Sequence, residues 1–367
     1  MLIEVHNLKN SLIMKSRSDK KQSKHILVML LMIVVAVAFG SCKPEAKKNV
    51  SVLALNIWQE GTVVEDGYMA IVNEVARLEP DFVCLSEVRN YNNTRFCDRI
   101  VQSLKEKGLT YYSFFSDDSG LLSKYPISDS TTIFPLKNDH GTIYKLKTKV
   151  HGVPFAVYTA HLDYLNCAYY MPRGYCGNTW NKLEKPVVDK QEIETMNLAS
   201  MRDDAIRNFI EDTNKEFEKG ATIILGGDFN EPSFKDWTEE TKDLYDHNGL
   251  VFNWNITAML DENGFIDSYR ELYPSAIKNP GFTYPSANKD KAIKDLTWAP
   301  DSDERERIDF IFYKTPGKLS LKSIKVVGPN TSINKSEVVV EETEDQFIEP
   351  LGVWPTDHKG VFAVFEL

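Results

Sequence analysis

The stretch Ile223-Ile224-Leu225-Gly226-Gly227-Asp228-Phe229-Asn230 sets an aspartate and an asparagine two positions apart, directly after an apolar run and two glycines. Side chains alternate faces along an extended chain, so Asp228 and Asn230 are expected on one side of a strand end. Glycine there lets backbone or ligand approach closely. A carboxylate can hold a cation or activate water, and a nearby carboxamide can donate to an oxyanion. Such groups suit phosphoryl chemistry. The same pair would also serve as an Asx turn capping a helix.

Similar polar groups close other apolar runs, in order along the chain. Asn56 ends Leu53-Ala54-Leu55-Asn56, Glu87 ends Phe82-Val83-Cys84-Leu85-Ser86-Glu87, and His161 with Asp163 follows Tyr158-Thr159-Ala160. Arg307 and Asp309 open a run that continues to Tyr313, and Asp357-His358 precedes the last one. Each has an ordinary alternative. A strand-end asparagine or aspartate can cap a turn, and Glu87 can be an N-cap or ion-pair partner. Arg307 lies in Glu304-Arg305-Glu306-Arg307, the pattern of a solvated charged face.

The elements that must position these groups are mostly strands. Apolar, β-branched runs predict strands over 50–57, 82–86, 111–115, 120–123, 131–134, 142–150, 155–159, 222–225, 308–313, 319–327 and 360–365. Helical periodicity is confined to 68–78, 94–107 and one long stretch from 191 to 218. Many strands with few helices predict two packed sheets with helices outside, in one domain over 50–367. The aromatic, glycine-rich segment 164–180 reads as an ordered loop.

The N-terminus differs in kind. Lysines and arginines between Lys9 and Lys24 precede the apolar run Ile26 to Phe39, which ends in Gly40-Ser41-Cys42. These fourteen apolar residues fall short of the roughly 20 that a membrane span needs. The pattern reads as a secretory signal peptide over 1–41. The cysteine after the small residues resembles a bacterial lipoprotein cleavage site. On that reading Cys42 is lipidated, 42–49 is a tether, and the protein is exported, periplasmic or cell-surface, and membrane-anchored. A plain N-terminal anchor is the alternative.

The whole chain of 367 residues carries a net charge of −10. Beyond residue 41, 37 Lys and Arg face 51 Asp and Glu, a net −14. That balance argues against a non-specific nucleic-acid binder, whose footprint is basic. It leaves room for an enzyme that meets phosphate through metal ions. Cys84 sits in an apolar run and reads as core. Cys167 and Cys176 flank a short loop and form the expected disulfide of an exported protein.

Taken in order, the strand-end groups resemble the endonuclease/exonuclease/phosphatase superfamily, the deoxyribonuclease I-like fold, over 50–367. The resemblance implies a four-layer α/β/β/α sandwich of two mostly antiparallel sheets, a divalent metal (Mg²⁺ or Mn²⁺), and hydrolysis of phosphate esters. Glu87 matches the family's metal-binding glutamate, apt for a hard cation that prefers oxygen ligands. Asp357 matches the aspartate that contacts the metal directly or through water. Asn56 corresponds to the asparagine supporting metal and phosphate, and His161 to a histidine donating to a phosphate oxygen. Asp228 would orient or deprotonate the attacking water while Asn230 donates to the phosphoryl oxygens. Asp309 and His358 match an acid–imidazole dyad, in which the carboxylate fixes the ring tautomer and favours imidazolium. Arg307 would hold phosphate as a cation. Trp58 stands where some relatives carry a second carboxylate, with Glu60 as the nearby substitute. His140, His151 and His247 match no position and read as surface residues.

The implied function is an exported, metal-dependent phosphoesterase, acting on a phosphodiester by in-line attack of water. An extracellular endonuclease and a sphingomyelinase-like phospholipase C are alternatives. A catalytically inactive, ligand-binding surface lipoprotein is the reading from another class. The acidic balance disfavours a strand-tracking groove. Tyr164, Tyr169, Tyr170, Tyr175 and Trp180 would line a pocket for sugar or lipid faces, or simply pack their own loop. For a membrane-dipping hairpin the candidates are Trp254 and Leu351–Trp354.

Overall fold

Val50, Val52 and Ala54 alternate with Leu53 and Leu55 along the first strand, and both sets are fully buried, in different hydrophobic clusters. A strand apolar on both faces must lie between two layers. The computed structural model, which describes residues 10, 14–17, 19–21 and 48–367, has that arrangement. The apolar signal run, Cys42 and most of the tether lie outside the described residues. Residues 48–367 form one compact unit.

The strands are β1 (Asn49–Asn56), β2 (Phe82–Val88), β3 (Asp118–Ser123), β4 (Asp129–Phe134), β5 (Gly141–Val150), β6 (Val153–Leu162) and β7 (Thr222–Asp228). They continue as β8 (Ile266–Asp267), β9 (Asp309–Lys314), β10 (Ser320–Val327), β11 (Thr331–Asn334), β12 (Glu337–Val340), β13 (Phe347–Ile348) and β14 (Gly360–Glu366). One six-stranded sheet runs β13-β10-β14-β1-β2-β3, and the other β4-β5-β6-β7-β9-β8. Most pairings are antiparallel; β1–β2, β6–β7 and β10–β13 are parallel. The helices are α1 (Gly67–Leu78), α2 (Phe96–Glu106), α3 (Lys190–Asn197), α4 (Arg202–Glu218), α5 (Asn255–Glu262) and α6 (Ser268–Leu272).

Three clusters separate the layers. Val50, Val52, Phe82 and Cys84 of the first sheet meet Leu146, Val157, Ile224 and Ile311 of the second. Leu53, Leu55 and Val83 turn outward onto Ile71, Val75, Ile100 and Leu104 of α1 and α2. Tyr158, Ile223 and Phe310 turn outward onto Ile206, Phe209, Ile256 and Leu260 of α4 and α5. The fold is therefore the expected four-layer α/β/β/α sandwich. Burying each such large side chain contributes about 1.5–3 kcal/mol, which makes the strand ends a rigid frame.

Two expectations change. The run 111–115 forms no named strand: it makes only an isolated bridge from Tyr112 to Ser123, and Phe115 is exposed. The long helix over 191–218 is two helices broken at 198–201. The break lets Arg202, fully buried, donate to the carbonyls of Asp163 (2.7 Å), Leu165 (2.8 Å) and Asn166 (2.8 Å) and to Glu231 (3.2 Å). One guanidinium thus ties the loop after β6 to the turn after β7.

Candidate active site

Gly227 is where sequence dictates closeness. Its φ is +141°, and a Cβ there would sit 1.8 Å from the Ala160 carbonyl, so β6 and β7 admit only glycine at this point. Their register then sets His161 beside Asp228, and the β7–β9 register sets Asp228 beside Asp309. In the other sheet β1 ends at Asn56 beside Ser86. The β2–β3 register shifts between Ser86 and Val88, and Glu87 in that bulge has φ +69°. A bulge re-aims a side chain, and strained backbone of this kind gathers at functional sites. Asp118 (φ +65°) and Asn230 (φ +49°) share the left-handed conformation.

The amide of Asn56 has a defined orientation. Its oxygen accepts from Trp58 N (2.9 Å), so its nitrogen faces inward and donates to Asp228 Oδ2 (2.9 Å) and Glu87 Oε1 (3.2 Å). His358 Nδ1 donates to Asp309 Oδ2 (2.9 Å), leaving Nε2 3.8 Å from Asp228 Oδ2. His161 Nδ1 donates to Asp118 Oδ1 (2.8 Å), leaving its Nε2 3.9 Å from Asp228 Oδ2 as well. Asp228 therefore stands between two imidazoles, each oriented by its own carboxylate. Asn230 N donates to Asp228 Oδ1 (2.9 Å), which is the Asx-turn bond, but no helix follows directly. The Asn230 side chain donates to Leu162 O (3.0 Å) and keeps a second N–H.

Burial opposes charge on the His358 ring, but Asp309 and then Asp228 outweigh it and hold it up at about 10. For His161 burial is likewise outweighed by Asp118, which holds the ring at about 9. Asp228 is raised above the ordinary carboxylate range, by burial first, against the opposing pull of His358. A raised carboxylate beside two imidazolium donors is suited to receive a proton from water while charge grows on a phosphate.

Glu87 and Asp357 line the same cleft. Burial pushes Asp357 up to about 7; His358 opposes this and the negative charge of Glu87 adds to it. Glu87 Oε2 accepts from Gln59 N (2.9 Å). Two carboxylates lining one cleft, one of them bonded by the Asn56 amide, are a donor set suited to a hard divalent cation. Asp228, Asp309 and His358 form another trio, their ligand atoms within 4.8 Å of one another, and Asp309 Oδ1 is buried without a partner among the described residues. A metal there would take the His358 ring as a neutral ligand and so compete with the proton that Asp309 favours.

Arg307 does not join this group. It is buried, with its guanidinium held by Asp236 (2.9 Å) and both oxygens of Asp267 (3.0 and 2.8 Å). The charge run that suggested a solvated face instead turns inward. The cation at the cleft is Arg89, paired with Asp118 (2.9 Å) and Asp139 (2.6 Å). Glu60 is not a substitute ligand, because it accepts the backbone N–H groups of Arg89 (3.0 Å) and Asn90 (2.6 Å). Asp163 is buried and holds Leu165 N (3.0 Å) and Met201 N (2.9 Å).

Cys167 and Cys176 are both free thiols, so the expected bridge is absent. Cys167 points its sulfur at the Tyr164 carbonyl (3.0 Å), and Cys176 turns to the Thr179 hydroxyl. His247 is buried and stacks on Trp237 at 3.6 Å between ring centroids, not on the surface. Trp254 is core, and of 351–354 Leu351 is exposed while Trp354 is buried. Tyr164, Tyr169, Tyr170 and Trp180 do line the cleft; Tyr175 instead accepts from Asp301 N (3.1 Å).

Sequence reasoning missed Asp118, Arg89, Tyr284 and Trp298. Asp118 carried the same signal as the others, a polar residue at the boundary of the apolar run 120–123. Arg89 follows Glu87 by two positions, the spacing that placed Asn230 with Asp228.

Residues 54–358 match the family described as Endonuclease/Exonuclease/phosphatase family. An uncharacterized Caenorhabditis elegans protein is 28% identical over 302 residues, spanning 79% of this chain and 87% of its own. The crystal structure of D. rerio TDP2 complexed with single strand DNA product superposes with a TM-score of 0.51 at 18% identity. That match covers 87% of this chain and 99% of the other. A Bacteroides thetaiotaomicron endonuclease/exonuclease/phosphatase family protein gives 0.47 at 14% identity, covering 88% and 99%. The structural likenesses are likenesses of fold.

Proposed function

Because the chain belongs to the Endonuclease/Exonuclease/phosphatase family, we propose that it is a divalent-metal-dependent phosphoesterase that hydrolyses a phosphodiester by in-line attack of water. The observation that carries this is Asp228 set between His358 and His161, with Asn56 donating to it. Asp228 takes the proton as the water oxygen bonds to phosphorus. The opposite P–O bond breaks, and the leaving oxygen takes up a proton from solvent, releasing an alcohol and leaving a monoester. His161, His358 and the free N–H of Asn230 donate to the phosphoryl oxygens as their charge grows. Glu87 and Asp357 would hold the divalent cation, whose chemistry there would be charge neutralisation at phosphorus.

The cleft volume of about 250 Å³ and the acidic balance favour a small phosphoester over a polynucleotide. The same reading keeps the exported, lipid-anchored placement, supported by the basic, apolar and small-residue order that ends at Cys42. Loss of membrane association and of acyl labelling in Cys42→Ser tests that placement, and unchanged labelling rejects it.

The deciding experiment is turnover by the purified protein of nucleic acid, phospholipid and sugar-phosphate diesters with Mg²⁺ or Mn²⁺, with and without EDTA. Metal-dependent hydrolysis of at least one class is expected. Turnover of none would leave a ligand-binding surface protein as the reading.

A further inference from the structure

Two tryptophans mark the rim of the cleft. Trp298 is 51% exposed, unusual for so large an apolar side chain, and lies 5.1 Å from Trp180 between ring centroids with the planes 36° apart. Trp180 in turn packs edge-on against Tyr170 at 5.0 Å. Trp180 is held at φ +58°, a conformation that costs a bulky residue energy and persists only when the surroundings impose it.

The backbone of Trp298 is pinned by Glu304. This buried carboxylate accepts from Tyr170 Oη (2.9 Å), Trp298 N (3.2 Å) and Ala299 N (3.2 Å), and from the Thr297 hydroxyl. It fastens the loop before it to the aromatic loop of 164–180, so an exposed ring rides on a pinned backbone. The same cleft holds the buried Tyr284 hydroxyl, which has no partner among the described residues and whose ring lies 4.9 Å from that of His358. A half-exposed aromatic pair at the rim of the cleft that Tyr284 also lines is suited to receive a ring with polar substituents.

We propose that Trp298 and Trp180 form a ring subsite, on which a sugar or aromatic ring of the alcohol esterified to the phosphate stacks. The proposal rests on the hydrolytic reading above and names its substrate class: a ring-bearing small phosphodiester. The ring contributes affinity and positions phosphorus; the strand-end groups act on it.

Three diesters sharing a methyl phosphate provide the test, with glycerol, glucose (through O6) or thymidine (through O5′) as the second alcohol. The full-length protein is expected to prefer at least one ring ester over the glycerol ester in kcat/KM. Trp298→Ala is expected to cut that preference roughly 5- to 150-fold, mainly through KM, the range for losing one stacked ring. Trp298→Phe, which keeps a ring face, should retain most of it. Preference for glucose identifies a saccharide, and preference for thymidine a nucleobase. Equal turnover of all three esters, unmoved by Trp298→Ala, overturns the ring subsite and leaves the hydrolase intact. If no ester is cleaved the hydrolytic reading falls, and the subsite is judged by tryptophan fluorescence. Quenching by a ring ester in the wild type and not in Trp298→Ala then upholds it, and no quenching overturns it.

Discussion

Asp118 holds Nδ1 of His161 at 2.8 Å, the same relation that Asp309 has to His358 at 2.9 Å. The protein therefore has two acid–imidazole pairs facing one aspartate, one from β3 and β6 and the other from β9 and the loop before β14, where the sequence suggested one.

Asp118→Asn removes the charge that keeps His161 protonated up to about 9. Activity that needs the imidazolium should then fall off at lower pH, with the alkaline limb moving toward the ordinary histidine value of about 6.5. Stability should follow the same sign. A raised histidine stabilises the fold fully below about 6.5 and loses that contribution as pH rises through about 9. Thermal melts from pH 6 to 10 should decline more steeply for the wild type than for Asp118→Asn. Parallel declines would detach His161 from Asp118.

His358→Ala and Asp309→Asn should each lower kcat by about 10²–10⁴ while circular dichroism stays native. The double variant should be little worse than either alone, since the two act as one unit. Near wild-type turnover in His358→Ala would remove the dyad from the mechanism.

Glu87→Gln should weaken Mn²⁺ or Mg²⁺ binding by at least about tenfold in calorimetric titration of the protein without substrate. EDTA should abolish turnover and added Mg²⁺ restore it. Unchanged affinity in Glu87→Gln would shift the cation site toward Asp228, Asp309 and His358, whose geometry also admits one.

Gly227→Ala forces a methyl to within 1.8 Å of the Ala160 carbonyl at a positive φ. The strands would have to part, so a loss of about 4 kcal/mol or more in denaturant unfolding is expected, or no folded protein at all. A mild effect would mean that β6 and β7 can spread without dismantling the sheet.

Much of this site was legible because its groups sit where extended chain stops. Asn56, His161, Asp228 and Asp309 each bound an apolar run, and strand periodicity survives in sequence because one-residue slips exchange core and surface. Arg307 misled for the opposite reason. A cluster of alternating charge looks solvated, and nothing local discloses that Asp236 and Asp267, distant in sequence, enclose it. The disulfide failed similarly: spacing brought Cys167 and Cys176 near, but side-chain direction depends on the loop's own turns. Short strands such as β8 and β13, two residues each, have too little sequence to carry a period.

The attachment of Trp298 and Tyr170 to Glu304 holds the rim loops by a fastening separate from the strand-end groups. Lineages of this chain could exchange the clamped loops, and with them the preferred leaving group, without disturbing the groups that break the bond. Diversification among descendants should then show first as altered taste for alcohols, with the hydrolytic apparatus inherited unchanged.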